Sequence, residues 1–166
     1  MAGTVRQYRA ADASALDGLA LRAFDQFRHH YKPWEPFAAG IGSTSKLAGS
    51  GELIVAEELG GDLLGGVGYF GPQAPKPDFF KPDWSIIRML VVDPGARGRG
   101  VGRLLTEACL ERAARDRAAV VALHTTPIME VALAMYLRMG FVWEGPGPTI
   151  YGVPYDIYLR SFPRWE

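Results

Sequence analysis

Between Ser85 and Val92 (SIIRMLVV) the chain is apolar almost without interruption, the pattern of a strand covered on both faces. A second such run, Ala118–Thr126 (AAVVALHTT), predicts another buried strand. Glu52–Glu58 (ELIVAEE) and Asp62–Phe70 (DLLGGVGYF) flank Gly60-Gly61, which reads as a β-hairpin. Thr4–Ala10 predicts a first strand, and shorter pieces at Phe141–Glu144 and Tyr155–Leu159 the last ones. Helical spacing shows in three places. Leu16, Leu19, Ala20, Ala23, Phe24 and Phe27 recur on one face of a helix that Asp12 would cap and that runs to about Gln26. A narrow, Ala-rich stripe predicts a second helix from about Gly100 to Arg117. The third covers Ile128–Met139 and stops at Gly140, the residue favoured just past a helix end.

Two stretches resist regular structure. From Phe27 to Gly42 the chain is rich in aromatic and His residues (His29, His30, Tyr31, Trp34, Phe37), and Pro33 and Pro36 keep any helix short. From Gly71 to Trp84, Pro72, Pro75, Pro77 and Pro82 forbid a regular element, and a loop this long is usually functional or mobile. Two strand–helix units after a hairpin predict an α/β fold, a mixed sheet flanked by helices in a single domain over 1–166.

Composition narrows the class. With 166 residues the chain is long enough to bury a core without disulfides or a structural metal. Its single Cys fits a reducing, cytoplasmic location, and the three His and one Cys show no metal-ligand spacing. The balance of 18 Lys+Arg against 18 Asp+Glu argues against coating nucleic acid or an anionic membrane. No apolar run is long enough for a signal peptide or a membrane span.

The neutral total hides a local concentration. Arg97-Gly98-Arg99-Gly100-Val101-Gly102-Arg103 follows the strongest strand and opens a helix. Its glycines let backbone N–H groups converge, and the helix adds its unpaired N-terminal N–H groups. Such a turn suits a phosphate or pyrophosphate. A dinucleotide fingerprint would need Gly where Arg103 stands, and an NTP-binding loop would need Gly-Lys-Ser/Thr. R-x-x-G-x-G is satisfied. The strand ending in Val-Asp-Pro before it favours phosphate binding over an ordinary glycine turn.

Over roughly Ser85–Phe141 the sequence resembles the GCN5-related N-acetyltransferases (GNAT). The R-x-x-G-x-G turn is one shared motif; Ala132-x-x-x-Tyr136-x-x-x-Gly140-Phe141, which resembles the family's A-x-x-x-Y-x-x-x-G-F, is the other. The resemblance implies an acyl-CoA N-acyltransferase fold with a splayed central strand pair. It implies that the residues 97–103 (Arg97, Gly98, Arg99, Gly100, Val101, Gly102 and Arg103) hold the pyrophosphate of acetyl-CoA. It further implies that Leu90, Val91 and Val92 pair with the pantetheine arm. In such enzymes an amine attacks the thioester directly, and the Tyr matching Tyr136 protonates the departing thiolate. The bland alternative for Tyr136 is packing between helix and sheet, with its hydroxyl bonded to backbone.

Departures from the family pattern bear on the base. Met129 stands where an Asn often opens the last helix, and Arg88 where many members carry a Glu. His124, on the strand before the Tyr136 helix, is a replacement base acting directly or through water; its alternative is a His that shapes the pocket. Glu57 and Glu58 are weaker candidates. Phe27–Phe37 and the loop residues Phe79, Phe80 and Trp84 either rim an acceptor pocket or cover the core edge. Asp78 and Asp83 would attract an ammonium or simply be solvated. The acceptor is expected to be a small-molecule or peptide amine, and a homodimer is compatible with the resemblance. A non-catalytic acyl-CoA-binding or regulatory module on the same fold is the competing reading.

Overall fold

The computed structural model describes residues 3–163. Seven strands form one sheet, ordered β1-β2-β3-β4-β5-β7-β6. They are β1 (Thr4–Gln7), β2 (Glu52–Glu57), β3 (Leu63–Phe70), β4 (Ser85–Val92), β5 (Val120–Thr125), β6 (Val142–Ile150) and β7 (Val153–Ser161). Four helices, α1 (Ala13–Phe24), α2 (Trp34–Ile41), α3 (Val101–Arg115) and α4 (Glu130–Arg138), flank it. This is the expected mixed sheet flanked by helices. Every neighbouring pair is antiparallel except β4 and β5, which run parallel.

The parallel pair separates almost at once. Only Ser85–Val121 and Ile86–Ala122 are in register. Beyond Ile86, β4 has no ladder partner on its β5 side among the described residues. That splay leaves a row of backbone N–H and C=O groups open on the C-terminal half of β4. Its other edge, toward β3, is also irregular. Gly66 pairs with Val91 and Gly68 with Arg88, so Met89 and Leu90 together oppose Val67. This is a β-bulge, and Met89 takes φ +56° within it.

Apolar clusters cover both sides of the sheet. Leu105, Cys109, Ala113, Leu123, Tyr136 and Phe141 pack together under α3 and α4. Leu16, Leu19, Ala23, Tyr31, Phe37, Leu53 and Tyr155 pack under α1 and α2. Because strand side chains alternate, Leu123 enters the first cluster while its neighbour His124 faces Phe79, Phe80 and Tyr155.

Several elements differ from the sequence expectation. Asp12 does not cap α1 with its side chain. Instead its carboxylate accepts two hydrogen bonds from the Arg6 guanidinium (2.8 and 2.9 Å) and one from the Arg9 N–H (2.8 Å). The Arg6 partner holds the Asp12 carboxyl at about 2, below the ordinary 3.8. The aromatic stretch contains a short helix, α2, whose Phe37 stacks on Tyr31. The proline-rich loop is knitted around Lys76, whose ammonium donates to the carbonyls of Gly71, Ala74 and Pro82. β6 is much longer than expected and runs through Gly145-Pro146-Gly147-Pro148. It lies at the sheet edge and is irregular where the prolines fall, between Pro146 and Thr149, so their missing N–H groups cost few ladder bonds.

Candidate active site

The turn after β4 is rigid at its start and open at its end. Asp93 caps the single helical turn Pro94–Ala96 by accepting the Gly95 N–H at 2.9 Å. The same carboxylate pairs with Arg22 of α1 at 2.8 Å. Ala96 and Val101 are buried and anchor the loop to the core. Between them Gly98 and Gly100 both adopt φ +78°, and a Cβ on either would meet nothing within 4 Å. Their role is therefore conformational: the left-handed region favours glycine, and the space above is clear. The first intrahelical bond of α3 runs from the Leu104 N–H to the Gly100 carbonyl. The N–H groups of Val101, Gly102 and Arg103 thus precede the helical ladder.

The three loop arginines differ. Arg99 pairs with Glu58 at 2.7 Å and Arg103 with Glu107 at 2.8 Å. Arg97 is exposed and has no ion-pair partner among the described residues. Leu90 and Val92 pack toward α3 and α4, while Val91 packs toward α1.

Where β4 and β5 separate lies a cavity of about 350 Å³. It is lined from β4 by Ile87, Arg88, Met89 and Leu90, and from β5 by Leu123, His124 and Thr125. Met129, Ala132 and Tyr136 close it on the α4 side; Phe24, Phe37, Tyr151 and Tyr155 close it on the other. Tyr136 is only 6% exposed, and its ring meets Phe141 edge-on. Its hydroxyl makes no hydrogen bond among the described residues. Burial, with Cys109 close by, pushes the phenol above its ordinary value and keeps it protonated.

His124 is partly buried, and its Nδ1 is enclosed without a hydrogen-bond partner. Burial first, and the Arg88 charge second, lower it to about 4. It is neutral at neutral pH. Phe79 and Phe80 meet its ring at 5.1 and 5.6 Å, and Tyr155 at 5.2 Å. The Tyr155 and Tyr31 hydroxyls bond to each other.

The cavity thus gathers His124, Tyr136 and part of the aromatic stretch. Glu57 and Glu58 do not line it; they pair with Arg6 and Arg99. Asp78 and Asp83 are exposed and also lie off its wall. Three features were not read from the sequence: the Met89 bulge, the Tyr151 wall and the lack, among the described residues, of any counter-charge near Arg88. Tyr151-Gly152 is a tight turn with φ +43° and +86°, and a Tyr-Gly pair is a weak turn signal. The bulge had no signal at all.

Residues 15–141 match the acetyltransferase (GNAT) family, and the chain belongs to it. No curated protein matches the chain. Among solved structures it is similar to the histone acetyltransferase HPA2 and related acetyltransferase from Corynebacterium glutamicum, with 23% identity and a TM-score of 0.75 over 97% of each chain. It is similar to a GCN5-related N-acetyltransferase from Kribbella flavida, with 20% identity, 96% and 97% coverage of this and that chain, and a TM-score of 0.73. A third is yncA from Salmonella typhimurium, solved with its cofactor acetyl-CoA, at 16% identity, 98% and 95% coverage, and a TM-score of 0.69. At these identities the likeness concerns the fold.

Proposed function

We propose that the chain is a single-domain acetyl-CoA-dependent N-acetyltransferase in which Tyr136 is the general acid and His124 the general base. The observation that carries this reading is the Tyr136 phenol, protonated and without a hydrogen-bond partner at the wall of the cavity between the splayed strands. A tyrosine serving only to pack is expected to have its hydroxyl bonded to backbone, and among the described residues Tyr136 makes no such bond.

The residues present suit acetyl-CoA, which supplies an acetyl group already activated as a thioester. The unladdered edge of β4 at Leu90, Val91 and Val92 offers N–H and C=O groups to the amides of the pantetheine arm, as an added strand would. Gly98, Gly100, Gly102 and the N–H groups opening α3 would hold the pyrophosphate. Arg97 supplies charge there without first giving up a carboxylate; Arg99 and Arg103 would have to leave Glu58 and Glu107.

On the acceptor side His124 is neutral, but at about 4 it is too weak a base to keep an ammonium proton, so it would relay that proton through one water to solvent as the amine binds. The freed nitrogen pair forms the C–N bond as the C–S bond breaks. The departing sulfur takes the Tyr136 proton, and the proton shed by the new amide nitrogen restores the phenol. Holding both reactants in one cavity supplies most of the acceleration.

Tyr136→Phe removes the acid and keeps the ring. Turnover in single-turnover assays is expected to fall by about 10²-fold or more, with acetyl-CoA affinity held. Unchanged single-turnover rates would discard the acid role.

A further inference from the structure

The cavity holds one formal charge. Of the residues that line it, none is Asp or Glu, and Arg88 alone is ionised at neutral pH. Elsewhere many arginines are paired: Arg6 with Asp12 and Glu57, Arg22 with Asp93, Arg99 with Glu58, and Arg112 and Arg115 with Glu52. Arg88 is partly buried and has no ion pair or hydrogen bond among the described residues. Its guanidinium carbon lies over the Phe70 ring at 5.8 Å. A guanidinium drawn from water without a counter-ion is costly unless something brings one.

The site argues the same way from its other polar group. His124 lines the same cavity and is uncharged, and its Nδ1 is buried without a hydrogen-bond partner. A simple alkylammonium entering here meets a cation and no anion. An amine that carries its own carboxylate arrives with no net charge, and its carboxylate matches the fork of a guanidinium.

We propose that the acceptor is a compact amine bearing a carboxylate, of the α-amino acid class, and that Arg88 docks the carboxylate so that the amine faces His124. This rests on the cavity being the acceptor site of the acetyl transfer proposed above. Phe24, Phe37, Tyr151 and Tyr155 then form the apolar wall for the rest of the molecule.

The test compares L-amino acids, each beside its α-carboxamide and its decarboxylated amine, by release of free CoA from acetyl-CoA. Wild type is expected to favour the free acid in kcat/KM by about ten- to hundredfold. Arg88→Met should bring that ratio close to one, chiefly through the KM of the acid, and Arg88→Lys should keep part of it. A wild-type preference for the carboxamide or the plain amine, or an acid preference that survives in Arg88→Met, would overturn the inference. If Arg88→Met does not fold, as judged by its thermal melt, Arg88→Lys decides on the same ratio. If no amine is acetylated, the proposed activity fails, and calorimetric titration with N-acetyl amino acids and their amides still decides the Arg88 role. Tighter binding of the acids, lost in Arg88→Met, supports it; equal or absent binding of the two overturns it.

Discussion

His124 and Tyr136 reach one cavity from strand and helix, and each is tuned by what surrounds it. Both are shifted by burial, in opposite directions with respect to charge: the imidazole loses its proton more easily, the phenol holds its own more firmly. Each is thereby kept neutral. For His124 the neighbours that bear on this are Arg88, the hydroxyl-bonded Tyr155 and the rings of Phe79 and Phe80. A base must be unprotonated, so its contribution persists above its native value and is lost as pH falls through about 4 rather than 6.5. The kcat/KM profile of wild type is therefore expected to steepen by one proton near pH 4, on top of the ionisation of the amine. His124→Ala should remove that steepening and lower the rate above it. A wild-type break near the ordinary histidine value, or an identical break in the variant, would send the search to a water-mediated route.

At the level of elements, sequence pattern served best where burial was one-sided or complete. β4, β5, α3 and α4 were legible because their apolar positions follow the strand or helix period. The end of β4 and the start of α3 carried the glycines that the turn requires. β6 was not legible beyond its first residues, since Gly and Pro tolerated at an edge look the same as a loop. The β4 bulge was invisible because it is a matter of register with β3, not of residue type. One glycine on β3 shows how closely these elements are fitted. A Cβ at Gly65 would stand 2.6 Å from the Val91 carbonyl oxygen and 3.0 Å from Leu105 and Val101. Gly65→Ala must push back the end of β4 or the first turn of α3, and a loss of about 1–3 kcal/mol is expected by urea unfolding. An unchanged midpoint would show that the gap closes by side-chain movement alone.

Across the whole molecule, the cavity at the splay of β4 from β5 is lined from both faces of the sheet, which in the proposed reaction lets a donor on one side meet an acceptor on the other. A ligand seated there would add contacts to β4, α3 and α4, which already pack in one cluster. Acetyl-CoA at about a hundred times its dissociation constant should stabilise the fold by about 2.7 kcal/mol, a rise in melting temperature of about 5–10 °C. No shift at millimolar acetyl-CoA would remove the donor assignment. The sequence alone determined the glycine turn, the helical spacing of Ala132, Tyr136 and Gly140, and the family they resemble, because these are short-range patterns written in consecutive residues. Only the tertiary structure decided that, among the described residues, Arg88 has no counter-ion, that His124 is enclosed and that the Tyr136 hydroxyl makes no hydrogen bond. Those properties depend on which side chains from distant strands and loops fail to arrive beside them, and no local pattern records an absence.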